Sequence, residues 1–326
     1  MKKIFLSGAT GFIGSKLAMR LAEEDNIVHA LYRSEWKTKD IKHRNIKLFK
    51  GDITDIDSLR KATEGCVEAY HVAAYANVWT PDPSRIYHLN IEGAMNVIRA
   101  AVNAGVKKMV VTSTAAVFGA SNNEEIDERS VPDNYFIHYE HSKFILESVL
   151  KTISSAGFHI MTVNPSRVYG PGLLSESNGV TRLIKRYIEG KWRFIPGNGK
   201  STGNYVYIDD VIEGHILAME KGRKGESYIL GGENADFINF FKQLKEVSGK
   251  NYRLLKLPLS LMIAVSYLML IYAKITGKPP MIVPDLVRKY DKNFRLSSEK
   301  AKTELDYSPL SLTEGIKKTI EWLKTQ

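Results

Sequence analysis

The chain reads as a doubly wound α/β protein: a parallel sheet covered by helices on both faces, with a smaller, mostly helical C-terminal lobe. Three observations predict this. Short apolar runs alternate with helical patterns through the first 165 residues, the order that builds parallel sheets from strand–helix–strand units. Several runs are almost continuously apolar, as strands buried on both faces are. Three glycines, Gly8, Gly11 and Gly14, stand between the first run and the first helical pattern.

The candidate strands are KIFLS (3–7), NIVHALY (26–32), IKLFK (46–50), VEAYHVAA (67–74), KMVVTS (108–113) and FHIMTVN (158–164). Helical patterns near 12–24, 56–63, 84–104 and 139–155 lie between them. Beyond residue 165 the alternation loosens. Helices near 178–190 and 210–221 precede a strand at 227–232, and the rest is mostly helix. No internal repeat or low-complexity linker interrupts the chain. The division expected is a nucleotide-binding domain over 1–165 and a substrate-binding lobe over 166–326.

With 326 residues, 44% of them hydrophobic, the chain can bury a full core. The single cysteine, Cys66, rules out an internal disulfide and a cysteine-based metal site. It suits a reducing cytoplasm. The opening MKKIFLSGATG has too short an apolar run for an export signal. A net charge of +10 attracts anions. The chain carries neither an aromatic-interleaved basic cluster nor zinc-finger spacing, so nucleic acid is not an expected partner.

The stretch SGATGFIGS gives each glycine a task. Gly8 permits a tight turn, Gly11 lets backbone approach a pyrophosphate, and Gly14 lets the helix pack close to the strand. The helix N-terminus offers amides and partial positive charge to the phosphates. At the end of the second strand, Tyr32 stands where an acid would grip a ribose hydroxyl, and Arg33 follows. Arginine accepts a 2′-phosphate, which favours NADP(H) and leaves NAD(H) open. Asp52 and Ile53, after the third strand, are placed to flank the adenine.

The stretch HYEHSK puts Tyr139 four residues before Lys143. Tyr187–Lys191 and Tyr252–Lys256 share that spacing, so spacing alone selects none of them. Context does: Tyr139 opens the helix behind the fifth strand, beside the glycine loop. Residues four apart share a helix face, so Tyr139 and Lys143 point together. An ammonium beside a phenol, together with a positive nicotinamide ring, favours phenolate and pulls its pKa down from about 10.

The ordered set of glycine loop, GDITD, HVAA, TSTAAVFG and Y-x-x-x-K resembles the extended short-chain dehydrogenase/reductase family, a Rossmann-type fold. The match runs from residue 2 to about 235, with a weaker tail over 304–322. Within the family, 71–101 and 214–234 look most like the dihydroflavonol-reductase-like branch, which includes hopanoid-associated sugar epimerases. The resemblance implies that Tyr139 moves a proton while hydride moves to or from nicotinamide. It implies that Lys143 holds the cofactor ribose and that Thr114, 25 residues before Tyr139, orients the substrate carbonyl. Ser113 is the alternative to Thr114. It further assigns Thr10, Phe12 and Ile13 to the phosphate loop, and Ala73 and Ala74 to close passage by the cofactor. Asn90 and Thr112 support the site, and Asn164, Pro165 and Ser166 lie beside the nicotinamide amide. Arg167 and Tyr169 face substrate. The chain is expected to cross between lobes more than once, and the helices over 84–104 and 139–155 to form a homodimer face.

Two substrate classes compete: a bulky apolar carbonyl reduced or its alcohol oxidised, and a nucleotide-sugar epimerised or dehydrated with cofactor recycling. In the nucleotide-sugar branch an arginine grips the diphosphate; this chain has Gly203 there, followed by Asn204. A non-catalytic dinucleotide sensor is a third reading, disfavoured by the intact Thr114, Tyr139 and Lys143. The uncharged run LPLSLMIAVSYLMLIYA (257–273) reads as a buried core helix, a wall of a lipophilic pocket or a peripheral membrane contact. All three stay open. No metal site is implied.

Overall fold

The computed structural model describes residues 1–122 and 124–326. Six strands appear in the first half: β1 (Lys3–Ser7), β2 (Ile27–Tyr32), β3 (Ile46–Lys50), β4 (Glu68–His71), β5 (Lys108–Thr112) and β6 (His159–Pro165). Then come β7 (Arg167–Tyr169), β8 (Phe194–Pro196), β9 (Thr202–Tyr207), β10 (Ser227–Leu230), β11 (Glu233–Asp236) and β12 (Leu255–Leu257). The main sheet has seven strands in the order β10-β6-β5-β4-β1-β2-β3. Every neighbouring pair in it is parallel. The chain builds outward from β1 to β3, then restarts at β4 on the other side of β1. That reversal opens a crevice between β1 and β4 at their carboxyl ends, the place where such sheets bind ligands.

Helices α1 (Phe12–Glu23), α2 (Ile56–Thr63), α3 (Ser84–Tyr87), α4 (Gly93–Asn103), α5 (His138–Ser155), α6 (Gly179–Ile188) and α7 (Ile208–Lys221) follow the strands. Side chains of successive strand residues leave opposite faces. Ile4 and Leu6 therefore join a core shared with α1 and α7, while Phe5 joins one shared with α2, α4 and α5. Each fully buried aliphatic side chain in these clusters contributes roughly 1.5–3 kcal/mol.

The second lobe holds the sheets β11-β9-β7 and β12-β8. It also holds α6 and the helices α8 (Phe237–Ser248), α9 (Leu259–Thr276), α10 (Pro284–Arg288), α11 (Glu299–Leu305) and α12 (Leu312–Leu323). Strand β10, sixty residues beyond the expected lobe boundary, pairs with β6 (Leu230↔Pro165), so the chain returns to complete the main sheet.

Four differences from the sequence reading have physical causes. Only Glu68–His71 of the run 67–74 is strand, because Val72–Ala74 turn aside to pass over Gly8. The helical run over 84–104 contains one turn of π-helix, His88–Glu92, which carries Asn90. Strands β7, β8, β11 and β12 are three or four residues long, too short to show a two-residue period. The run 257–273 is not a core helix: in α9 only Ser266 and Ala273 are buried.

Candidate active site

The glycine loop is built as its spacing predicts. Gly8 has φ +76°, in the left-handed region, and a Cβ there would lie 2.5 Å from the Ala73 amide nitrogen. The Gly11 amide donates to the Gly8 carbonyl at 2.9 Å. A Cβ at Gly14 would overlap that same carbonyl. Helix α1 starts directly after Gly11 with no side-chain cap, leaving its first turn to an anion. This cradle, closed on one side by Ala73, fits a dinucleotide pyrophosphate. Thr10 is half-buried, Phe12 is buried in the core and Ile13 packs against it, so these three contribute backbone rather than side chains to the loop.

At the outer end of the crevice, Arg33 is two-thirds exposed and lies 3.6 Å from the Asp52 carboxylate. Asp52 also accepts from the amide and hydroxyl of Thr54, at 3.0 and 2.9 Å. Burial raises its pKa, but these hydrogen bonds and Arg33 outweigh it and hold Asp52 below the usual carboxylate range. Ile53 packs against Gly93 of α4, and its carbonyl accepts from Asn96 at 3.2 Å.

Tyr139 and Lys143 lie on one face of the first turns of α5, with Glu147 one turn further. Tyr139 is half-buried; loss of water around its hydroxyl, and the neighbouring Glu140 carboxylate, push its pKa up. The lowered phenol pKa expected from the sequence is therefore not what the side chains create, because burial and the Glu140 carboxylate both push it up. Lys143 is buried, and its Nζ donates to the Thr112 carbonyl at 2.6 Å. Burial brings its pKa down to about 8, against the opposing pull of Glu147. Glu147 is itself buried, which raises its pKa, and accepts from Asn164 Nδ2 at 2.7 Å. Sequence reasoning missed Glu147. Its signal was present: Tyr139, Lys143 and Glu147 repeat at four-residue intervals along α5.

Strand β5 delivers the hydroxyl candidates on alternate sides. Ser113 is buried, its Oγ beside the Glu147 carboxylate. Thr114 is half-buried and caps the short turn at Ala115–Phe118 through the Ala116 amide at 3.3 Å. The Thr112 hydroxyl turns away from the crevice and meets His215 Nε2 of α7 at 2.8 Å. Its carbonyl, not its side chain, reaches the site.

Two further residues position this face. Asn90 Oδ1 accepts from the Tyr75 amide at 2.7 Å, and its Nδ2 donates to Tyr75 O and to Ser142 Oγ at 3.3 and 2.9 Å. With both ends of its amide engaged, Asn90 clamps the loop after β4 onto α5 rather than facing a cofactor. His71, also missed, is buried with Nδ1 2.7 Å from Ser7 Oγ. Burial, with a smaller contribution from Lys143, lowers its pKa to about 3, so it stays neutral.

Pro165 ends β6 and is buried; the Ser166 hydroxyl is buried without a hydrogen-bond partner among the described residues. Ala73 is half-buried against Gly8, and Ala74 is exposed beyond it. Arg167 lies over the rings of Tyr205 and Phe294, with Nη1 3.3 Å from Tyr205 Oη. It has no carboxylate partner among the described residues. A Cβ at Gly203 would collide with this guanidinium, so the glycine is what admits Arg167. Tyr169 does not face a substrate. It is buried, donates to Leu312 O at 3.3 Å and stands over Gly315, because α12 covers that end of β7.

The two competing Tyr–Lys pairs are structural. Tyr187 is buried and donates to Lys250 O at 2.9 Å. Tyr252 packs edge-on against Tyr187 beneath Arg193. Beside the start of α5, a cleft of about 870 Å³ runs between the loop at Val78–Pro83 and the inner side of α9. Trp79, Ile86, Phe136, His138 and Leu270 are among its walls. The second lobe is tied to this region by a buried ion pair between Lys289 and Glu140, next to Tyr139.

A glycine cradle at the β1/β4 crevice, facing a Tyr–Lys pair on α5, defines a dinucleotide-dependent enzyme of the extended short-chain dehydrogenase/reductase class. Residues 4–231 match the NAD dependent epimerase/dehydratase family, and the chain belongs to it. It is 30% identical to 3beta-hydroxysteroid-dehydrogenase/decarboxylase isoform 1 of Arabidopsis thaliana, over 86% of this chain and 67% of that one. It is also 30% identical to dihydroflavonol 4-reductase of Gerbera hybrida, over 78% and 75%. Among solved structures it resembles UDP-glucuronic acid 4-epimerase from Bacillus cereus in complex with UDP-glucuronic acid and NAD. That match has 25% identity and a TM-score of 0.79, and covers 99% of both chains.

Proposed function

We propose that this enzyme reduces a carbonyl on a bulky, largely apolar substrate, or runs the reverse oxidation, with Tyr139 as general acid/base. The observation that carries the proposal is the placement of Tyr139: it shares a face of the start of α5 with the buried Lys143, and its neighbours His138 and His141 line a largely apolar cleft. A protonated phenol is a proton donor, which suits reduction at neutral pH. The cofactor, when bound in the glycine cradle, supplies or accepts the hydride.

The chain's own residues then have separable tasks. Tyr139 gives its proton to the oxygen that gains negative charge. Thr114, on the open side of β5, orients that oxygen. Lys143 lies between the Thr112 carbonyl and Glu147 and presents its charge to the cofactor ribose. Gly8, Gly11, Gly14, Ala73, Pro165 and Ser166 hold the dinucleotide, while Asn90 fixes the loop beside it. Arg33 favours NADP(H) by offering a cation to a 2′-phosphate, although Asp52 already holds part of that charge.

Arg167, stacked on two rings and without an acidic partner, fits an anionic or carbonyl oxygen on the substrate. The names of the Arabidopsis and Gerbera relatives support an apolar polycyclic substrate. The nucleotide-sugar reading rests on the B. cereus structure. It is weakened here because Gly203 lacks the diphosphate-gripping arginine and the space above it is filled by Arg167. The side-by-side helices α3–α4 and α5 support a homodimer across that face.

The test is net cofactor oxidation by purified protein, with NADPH and NADH in parallel, against lipophilic ketones, flavanonols and nucleotide-sugars. Net consumption with a ketone, faster with NADPH and slowed by Arg33→Ala, is the expected result. Conversion of a nucleotide-sugar without net consumption would replace the proposal with the epimerase or dehydratase reading.

A further inference from the structure

Helix α9 is apolar on both sides. Its inner side, with Met262, Ser266, Leu270 and Ala273, rests on the lobe. Its outer side presents Leu261, Val265, Leu268, Ile271, Tyr272 and Ile275 to solvent. The spacing of these six follows one helical face, and Leu268 and Ile275 are 67% and 79% exposed. A continuous apolar stripe of this kind on a protein surface marks a contact.

The charges around the stripe say what it contacts. From Val247 to Pro284 the chain carries Lys250, Arg253, Lys256, Lys274 and Lys278 and not one acidic residue. Lys256, Lys274 and Lys278 are exposed at the two ends of α9. An apolar face bracketed by cations is complementary to lipid tails beneath anionic headgroups.

The fold also says how α9 would lie. Just before it, β12 is paired to β8, with Leu257 opposite Pro196. Just after it, Val283 and Pro284 are buried, and the Lys289–Glu140 ion pair anchors the chain to α5. Both ends are thus held against the folded body of the protein. A helix of 18 residues, about 27 Å long, cannot cross a bilayer under that constraint. It can lie in the interface plane.

We propose that α9 docks the enzyme in-plane on an anionic membrane surface, with Leu261, Leu268, Ile271 and Ile275 in the acyl boundary and Lys256, Lys274 and Lys278 at the headgroups. In that pose the inner side of α9, through Leu270 and Ala273, roofs the cleft that reaches Phe136 and His138 beside Tyr139. A lipophilic substrate would pass from bilayer to cleft without crossing water. That route rests on the reductase reading; the docking does not.

The experiment is vesicle flotation of the full chain, with phosphatidylcholine alone and with phosphatidylcholine plus phosphatidylserine, at low and high salt. Binding to the anionic vesicles, at least tenfold above the neutral ones and weakened by salt, is expected. Leu268→Glu with Ile275→Glu should abolish it, while dinucleotide binding persists and reports an intact fold. Lys274→Glu and Lys278→Glu should each remove roughly fivefold or more of the anionic preference. Wild-type protein that floats with neither vesicle overturns the proposal, as does binding that the α9 variants leave unchanged. A fall in sedimenting mass of Leu268→Glu/Ile275→Glu, without vesicle binding by wild type, also overturns it and assigns the stripe to contact between copies.

Discussion

Replacing Glu147 with glutamine isolates one electrostatic claim. Glutamine keeps the oxygen that accepts from Asn164 Nδ2 at 2.7 Å, so packing and that hydrogen bond survive while the charge is lost. Residues four apart on a helix stand roughly 6 Å apart at Cβ. At an effective dielectric of about 20, unit charges at that distance interact by about 3 kcal/mol, or about two pH units. Glu147 raises the pKa of Lys143, which burial has brought down to about 8. Loss of the carboxylate must lower it further, by one to two units on this estimate. Lys143 is charged below its pKa, so dinucleotide affinity in wild type should weaken as pH rises through about 8. In Glu147→Gln the weakening should set in one to two units lower, with little change at the acid end. Fluorescence titration of NADPH and NADH across pH reads this without knowledge of the substrate, and thermal melting reports the fold. A limb that stays in place would refute the reasoning: either Glu147 is protonated in the fold or it does not control Lys143.

Three other outcomes follow from the same geometry. Tyr139→Phe should cut turnover by roughly a hundredfold or more, the usual worth of a positioned acid, while dinucleotide affinity measured by titration changes little. Gly14→Ala drives a Cβ into the Gly8 carbonyl; an overpacked contact of this kind costs about 1–3 kcal/mol, read as a tenfold or greater loss of dinucleotide affinity in the same titration. Lys289→Ala strands a buried Glu140 carboxylate and should destabilise the fold by about 3–5 kcal/mol, whereas Lys289→Met combined with Glu140→Gln should recover most of the melting temperature.

Much of the architecture was legible because its signals are local. Short apolar runs, several of them nearly continuous, marked the six strands of the first half, and each lies within two residues of its expected start. The Gly8, Gly11, Gly14 spacing and the Tyr139–Lys143 step specify backbone conformation and a shared helix face over a few residues. Those signals do not depend on what packs where. The short strands of the second lobe left no such trace, and the π turn at His88–Glu92 has no sequence period of its own.

What the sequence determined by itself was the set of groups available and their order along the chain: a glycine cradle, a hydroxyl after β5, a tyrosine with a lysine one turn on. Burial and partnership were decided by tertiary structure. Tyr169 looked as available as Arg167, yet α12 covers one and leaves the other stacked on Tyr205. Asn90 has the side chain of a cofactor ligand, but Tyr75 and Ser142 use it up. Lys143 was expected to draw the Tyr139 phenol toward phenolate; burial and the Glu140 carboxylate pull its pKa the other way. The run 257–273 had the composition of a core helix, and only the position of the lobe beneath it left its outer face bare. Hydrophobic pattern records how much a segment gains from leaving water. It does not record which neighbour, or which surface, will take it.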